Sequence, residues 1–275
     1  MHPSTETRLL CERQGRTLVL TLSGAATRNS LSPSACQAGT AALVDAAKDA
    51  ANDAAKDGAD HTGLRAVVLR GEGEHFCAGG NLQRLLKVRG GAPADQFDSM
   101  AHFHDFVAAL RACPLPVVAA VEGWAAGGGA ALVLACDLVV AAEGARFVFS
   151  YGRIGLSPDG GSSWQLARRL PRPLALKLLW LAEPMSARDW LTHGLANEVV
   201  PDGHALLRAL ALTARLTEMA PNAVASAKRL IDDAAHSSLP DHLDAERRHF
   251  VDNLFHANGG EGVQAFLDKR PARFE

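Results

Sequence analysis

The sequence predicts an α/β protein in which a mainly parallel sheet precedes a helical C-terminal region. In the first 160 residues, short continuous apolar runs alternate with segments of helical spacing. From about residue 163 to the end, the spacing of apolar residues is helical only. Strands that alternate with helices need crossover connections, which make neighbouring strands parallel. An apolar content of 48% is enough for a sizeable core.

Strands are predicted where β-branched or continuous apolar residues are bounded by glycine or charged residues, at 17–22, 66–69, 117–121, 138–141 and 147–149. A first helix begins at Ser32 and Pro33, with Ser as the N-cap and Pro at the first helical position, and runs to about residue 59. Gly127 and the two glycines after it open a second helix, which runs to about residue 136.

In the C-terminal part, helical spacing predicts helices at 164–170, 173–182, 187–193, 205–219, 223–235, 239–255 and 262–269. Ser186 and Asn222 stand where N-caps belong, and Gly194 stands where a C-terminal glycine belongs.

Charge and cysteine content exclude several classes of protein. The net charge is −2, so no global positive field attracts nucleic acid or an anionic membrane. Five widely spaced cysteines without a C-x-x-C pair indicate neither a disulfide framework nor a metal site, and they fit a reducing cytoplasm. The longest apolar stretch, 125–140, is interrupted by Asp137 and is too short to span a bilayer. We therefore expect a cytoplasmic protein that binds no nucleic acid, membrane or metal.

Two glycine-rich turns, at 75–82 and 122–130, each connect a predicted buried strand to a helix. The N–H groups of a helix's first turn have no intrahelical partner, and glycine lets a ligand approach them closely. Two such ends that converge would form an oxyanion hole. The alternative is that each turn is only a tight connection. The sequence does not indicate a nucleotide phosphate loop, because neither turn contains G-x-x-x-x-G-K-[ST] or a proper G-x-G-x-x-G after the first strand.

The turn at 76–82, FCAGGNL, resembles the F-x-A-G-x-D-[LI] motif of the crotonase (enoyl-CoA hydratase/isomerase) superfamily. Three further segments are similar to motifs of that superfamily in the same order: 27–32, 123–137 and 261–270. The resemblance therefore covers nearly the whole chain, and four collinear motifs make it specific.

The resemblance implies a crotonase-like fold of repeated ββα units in a spiral core. Residues 1–200 would form this core with the acyl-CoA site, and residues 201–275 a helical region that trimerises and covers the coenzyme A. It further implies a homotrimer or a dimer of trimers. It implies no permanently bound cofactor, since the substrate itself is carried as a coenzyme A thioester.

The thioester oxygen would accept hydrogen bonds from the N–H groups of Ala78 and Gly128, according to the resemblance. The remaining coenzyme A contacts that it implies are Thr27, Arg28, Gly80, Asn81, Leu82, Phe266 and Lys269, together with Ala78. Phe266 and Lys269 would reach the coenzyme A of a neighbouring subunit. A solvated lysine at a helix end is the alternative for Lys269.

The acid and base positions depart from the hydratase pattern. The two glutamates of the family's hydratases fall at Ala131 and Tyr151, and neither is a carboxylate. Asp159 matches the position of the catalytic aspartate in several family isomerases, and we expect it to move the substrate's proton. The alternative for Asp159 is a turn or helix cap, since P-D-G favours turns. For Tyr151 the alternatives are a buried core tyrosine and a hydrogen-bond donor in the pocket.

Three hypotheses for function follow. The first is an isomerase or ring-opening enzyme with Asp159 as acid and base; the nearest subgroup resembles the oxepin-CoA hydrolases of alternative type and the isomerases of phenylacetyl-CoA breakdown. The second is an enoyl-CoA hydratase that activates water through other groups. The third is a non-catalytic relative that binds coenzyme A esters or RNA.

Overall fold

The computed structural model describes residues 6–54 and 62–275. Within these ranges the strands are β1 (Arg8–Gln14), β2 (Thr17–Ser23), β3 (Ala66–Gly71), β4 (Val117–Val121), β5 (Trp124–Ala126), β6 (Leu138–Ala142), β7 (Arg146–Val148), β8 (Met185–Ser186) and β9 (Glu198–Val200). The helices are α1 (Pro33–Ala54), α2 (Leu82–Val88), α3 (Pro93–Ala112), α4 (Gly128–Ala135), α5 (Ser162–Arg169), α6 (Arg172–Leu181), α7 (Ala187–Thr192), α8 (Ala205–Thr217), α9 (Pro221–Ala234), α10 (Leu239–Phe255) and α11 (Ala257–Leu267). Short 3₁₀ helices occupy Ala25–Thr27 and Ser150–Ile154.

The main sheet has the strand order β1-β2-β3-β4-β6-β9. β1 pairs antiparallel with β2, and every other neighbouring pair in this sheet is parallel. A smaller sheet joins β5, β7 and β8. The predicted parallel sheet is therefore confirmed.

Alternate residues of the central strands pack into two separate apolar layers. Val67 and Leu69 of β3 belong to the large core beneath helices such as α1, α3 and α4, whereas Val68 packs with Ala205 and Ala209 of α8 on the opposite face. Both faces are thus covered, which explains the continuous apolar runs in the sequence. Burial of each such valine or leucine contributes roughly 1.5–3 kcal/mol.

The predicted strands and helices are found with small differences at their ends. Ser32 caps α1, because its Oγ accepts from the Ala35 N–H at 3.0 Å. Ser186 forms a capping box with Asp189, and Gly194 has a φ of +70° just after α7. Residues 55–59 of the predicted first helix lie outside the described residues.

Two sequence predictions were wrong. The region after 163 is not helical only, since β8 and β9 lie there and β9 pairs with β6. Strands of two and three residues are too short to show a period. Asn222 is not an N-cap, because α9 begins one residue earlier at Pro221, and the Asn222 side chain instead bonds to Asn253 at 2.7 Å.

Strand β1 was not predicted. It lies at the edge of the sheet, and its side chains are mostly exposed, so no apolar alternation marks it. None of the helices within the described ranges is long and apolar enough to cross a membrane.

Candidate active site

The two glycine turns lie side by side because β3 and β4 are parallel neighbours. Each turn follows the carboxyl end of its strand, so both turns emerge at the same edge of the sheet. The Cys77 N–H donates to the Trp124 carbonyl at 3.1 Å, and the Ala126 N–H donates back to the Cys77 carbonyl at 2.9 Å. These bonds hold the first turn directly against the second.

Gly79 shows how closely the turns approach. It has a φ of +81°, and a Cβ there would stand 2.5 Å from the Ala126 carbonyl oxygen and 3.1 Å from the Gly128 nitrogen. A residue with a side chain could not occupy this position without separating the turns.

The N–H of Gly128 is available to a ligand. Gly128 is the first residue of α4, so its N–H has no partner within the helix. In the described part of the chain no other acceptor takes this N–H. Leu31 and Phe103 pack where a Cβ of residue 128 would be. The α4 dipole adds partial positive charge at this point.

The N–H of Ala78, by contrast, is engaged within the protein. It donates to the Arg28 carbonyl oxygen at 3.0 Å, so the expected pair of free donors is not present in this structure. The reason lies in the backbone of the neighbouring loop, where Arg28 and Asn29 both have left-handed conformations (φ +52° and +57°). This conformation turns the Arg28 carbonyl toward the first glycine turn.

The Asn29 side chain holds the loop that contains Arg28 in place through hydrogen bonds. The sequence analysis did not single this residue out. Its buried side chain donates to the carbonyl oxygens of Glu72 and His75 at 2.9 and 2.8 Å and accepts from the Gly24 N–H at 2.9 Å. The signal that could have found it is an asparagine in a predicted turn, since asparagine tolerates the left-handed region.

Asp159 has its carboxylate free of any capping role. The backbone carbonyl of Asp159, not its carboxylate, accepts from the Ser162 N–H at 3.0 Å, and Gly161 precedes α5 without a side-chain cap. The carboxylate Oδ1 instead accepts from the Tyr151 hydroxyl at 2.6 Å. The helix-cap alternative for the Asp159 side chain is therefore excluded, although its backbone does form a turn.

Tyr151 is both a buried core tyrosine and a hydrogen-bond donor, the two alternatives that the sequence left open. Its ring packs beside the second glycine turn, where a Cβ on Gly127 would stand 4.0 Å from the hydroxyl oxygen. Burial and the adjacent Asp159 carboxylate raise the pKa of Tyr151. The tyrosine thereby links Asp159 to the turn that carries Gly128.

Ala131 occupies a fully buried position in α4. A Cβ on Gly160 would lie 3.0 Å from the Ala131 Cβ, and Phe103 packs against the same point. The position at which the family's hydratases carry one glutamate is therefore enclosed by apolar groups.

The residues expected to contact coenzyme A in the first two motifs differ in accessibility. The Arg28 side chain, Gly80 and Leu82 are exposed. Thr27 is half-buried, and its hydroxyl donates to the Gly24 carbonyl at 3.0 Å. Asn81 caps α2 by accepting from the Arg84 N–H at 3.0 Å, which leaves its amide donors for other partners.

Phe266 and Lys269 lie at the end of α11, which packs against α10. Both side chains are exposed, Phe266 to 84%. Lys269 has a φ of +55° directly after the helix.

A surface groove of about 540 Å³ lies beside Pro158, the residue that precedes Asp159 in the chain. Its walls are formed by Gly152, Leu156, Pro158, Leu179 and Trp180. An apolar group in this groove would contact the segment that carries the aspartate.

Comparisons with known proteins agree with this geometry. A family model described as enoyl-CoA hydratase/isomerase matches residues 18–275. The crystal structure of an enoyl-CoA hydratase from Polaromonas sp. JS666 is 47% identical, with a TM-score of 0.92, and the match covers 98% of this chain and 100% of that chain. The predicted crotonase-like fold is thus confirmed.

Two curated relatives carry different activities in their names. A probable enoyl-CoA hydratase of Rhodobacter capsulatus is 37% identical over 212 residues, 76% of this chain and 80% of the relative. The 1,2-epoxyphenylacetyl-CoA isomerase of Escherichia coli K12 is 35% identical over 212 residues, 77% of this chain and 81% of the relative. The fold, the paired glycine turns and these matches together show that the chain is an enzyme of the enoyl-CoA hydratase/isomerase family.

Proposed function

We propose that this enzyme isomerises or opens the ring of an acyl-CoA thioester, with Asp159 as the acid and base. The observation that carries the proposal is the place of the Asp159 carboxylate, which Tyr151 connects to the turn of Gly128. The positions of the hydratase glutamates hold an alanine and a tyrosine. The isomerase among the curated relatives supports the same direction.

As an isomerisation, the proposed reaction moves a proton between carbons and consumes no water. Asp159 takes a proton from a carbon next to the conjugated thioester, and the electron pair of the broken C–H bond moves onto the thioester oxygen. The Gly128 N–H stabilises that negative oxygen. Asp159 then returns the proton to a different carbon, and the thioester is restored.

The Ala78 N–H would donate a second hydrogen bond to the thioester oxygen once the Arg28 carbonyl has turned away from it. Three exposed residues near this hydrogen bond would contact the coenzyme A. Arg28 lies on the loop before α1, and Gly80 and Leu82 lie at the end of the first glycine turn. The apolar groove beside Pro158 offers space for part of the acyl group.

The test is Asp159→Asn, which keeps the size of the side chain and removes the base. We expect turnover and deuterium exchange into the acyl group to be lost, while the protein still binds coenzyme A esters. Glu143→Gln is the matched control, because this exposed carboxylate lies in a turn between β6 and β7. Near-normal turnover of the Asp159→Asn variant would remove Asp159 from the mechanism.

Hydration of a 2-enoyl-CoA is the second candidate. It is favoured by the 47% identity to a structure named as an enoyl-CoA hydratase. Loss of the conjugated thioester absorbance of crotonyl-CoA separates the two reactions. Efficient hydration would favour this candidate, and a lack of exchange with every ester tested would favour a protein that only binds them.

A further inference from the structure

The hydroxyl proton of Tyr151 has one destination. Ser162 Oγ donates its own proton to the Asp159 backbone carbonyl at 2.7 Å, so it can only accept from Tyr151, and the two oxygens are 3.3 Å apart. Asp159 Oδ1 is much closer to the tyrosine hydroxyl, at 2.6 Å. A short bond to a charged acceptor is the stronger one. The tyrosine proton therefore points at Asp159.

The second carboxylate oxygen is left free. Across residues 6–54 and 62–275, no group donates a hydrogen bond to Asp159 Oδ2. The raised pKa of Tyr151 keeps its hydroxyl protonated at neutral pH, so Oδ1 stays an acceptor of that hydrogen bond. The two oxygens of one carboxylate thus have different environments.

We propose that Tyr151 is a positioning residue, which holds the Asp159 carboxylate so that Oδ2 alone exchanges a proton with the substrate. This inference rests on the proposed function of Asp159. In the forward step the carbon–hydrogen bond breaks, its proton goes to Oδ2, and its electron pair goes to the thioester oxygen. In the return step the Oδ2 proton is delivered to another carbon. The tyrosine proton stays on the tyrosine throughout.

The arrangement also explains why a tyrosine at this position suits an isomerase. Where the family's hydratases carry their second glutamate, this chain has a donor directed at the remaining carboxylate. The Tyr151 hydroxyl holds one oxygen of that carboxylate in place. Its ring against Gly127 keeps the carboxylate beside the turn of Gly128.

The kinetic test is Tyr151→Phe, which keeps the ring and removes only the hydroxyl. We expect kcat to fall roughly ten- to hundred-fold, the value of one hydrogen bond to a charged group, with little change in KM. A lowered kcat with an unchanged KM is the split that a lost positioning contact gives. Unchanged kcat would overturn the proposal.

A spectroscopic test is independent of activity. Tyr151 is the single tyrosine of the chain, so protein labelled with ¹³C at the tyrosine ζ carbon gives one resonance from this residue. We expect that resonance to move in Asp159→Asn, because the tyrosine hydroxyl then donates to a neutral amide instead of a carboxylate. An identical resonance in both proteins would overturn the contact.

The two tests separate this proposal from the proposed function. If Asp159→Asn is inactive while Tyr151→Phe behaves like the wild type, the function of Asp159 stands and the positioning role falls. If Asp159→Asn is active, both the proposed function and the positioning role are wrong. The resonance then reports only whether the contact between Tyr151 and Asp159 exists. A Tyr151→Phe protein that fails to fold leaves the resonance of the wild type to decide whether the contact exists.

Discussion

The N–H of Ala78 donates a hydrogen bond to the carbonyl oxygen of Arg28 across 3.0 Å, at the edge where the two glycine turns meet. The thioester oxygen expected from the family resemblance would need this same N–H. An amide proton has one strong acceptor at a time. Substrate binding at Ala78 therefore requires the Arg28 carbonyl to leave, whereas the Gly128 N–H is ready beforehand.

We expect a complex with an unreactive acyl-CoA thioether to show this exchange. The Ala78 nitrogen should then lie within hydrogen-bonding distance of the ligand oxygen, and Arg28 should have turned its carbonyl away. The measurement is a crystal structure of the complex beside one of the free protein. A ligand bound with the Ala78–Arg28 bond intact would mean that Gly128 works with a different donor.

Asn29 should be important for stability because its side chain joins two loops. Asn29→Gly removes the four hydrogen bonds of the Asn29 side chain, including a longer one of 3.4 Å to the Phe76 carbonyl, and should lower the free energy of unfolding by about 3 kcal/mol. Asn29→Ala should cost about 1 kcal/mol more, because a Cβ is unfavourable at a φ of +57°. Urea unfolding measures both, and Asn81→Gly is a control expected to lose only a few tenths. Equal stability of the wild type and Asn29→Gly would contradict the prediction.

Ala131→Glu should not convert the protein into an efficient hydratase. The side chain would enter a fully enclosed space against Gly160 and Phe103, where an unpaired carboxylate is strongly disfavoured. We expect a loss of several kcal/mol in the free energy of unfolding, roughly 3 or more, and no gain in crotonyl-CoA hydration. Ala167→Glu, on the exposed side of α5, should be near neutral. A stable Ala131→Glu protein with increased hydration would refute this expectation.

The ion pair between Lys228 of α9 and Asp137 attaches the C-terminal helices to the sheet. The two groups are 2.8 Å apart and mostly buried, and Asp137 Oδ2 also accepts from the Val117 N–H. Lys228→Met leaves that carboxylate without its cation and should lower the free energy of unfolding by about 3–5 kcal/mol.

The pH dependence of this loss follows from the pKa of Asp137. Burial already raises that pKa, and Lys228 opposes the rise. Without the lysine the pKa rises further, so the folded variant binds a proton that the unfolded chain does not. The penalty should therefore shrink as the pH falls from 8 toward 5. Unfolding curves at both values measure it, and a pH-independent loss would argue against a charged Asp137 as the cause.

The C-terminal helices leave many apolar side chains exposed in the single chain. Phe250 and Phe255 of α10 are 69% and 84% exposed, and Phe266 and Leu267 of α11 are 84% and 68% exposed. Exposed apolar surface of this kind marks an interface. We expect light scattering to give a mass three or six times 29.0 kDa, and Phe255→Asp to lower it. A monomeric wild type would contradict the expected trimer.

Sequence pattern alone was sufficient for the buried strands β2, β3, β4 and β6 of the main sheet, for most helices and for the family. Buried strands carry continuous apolar runs and amphipathic helices carry a 3.6-residue period, so each is visible within a short window. Glycine turns are equally visible, because the backbone conformation that they need excludes other residues. The pairing of the two turns then follows from the parallel order of β3 and β4.

The contacts that control the site came only from the folded chain. The bond from Ala78 to Arg28, the anchoring of Asn29 and the hydrogen bond from Tyr151 to Asp159 each depend on where a proton or a carbonyl points. Direction of that kind is set by packing between segments distant in sequence, and no local pattern records it. The short strand β9 was missed for the same reason, since its three residues are a strand only because β6 lies beside them.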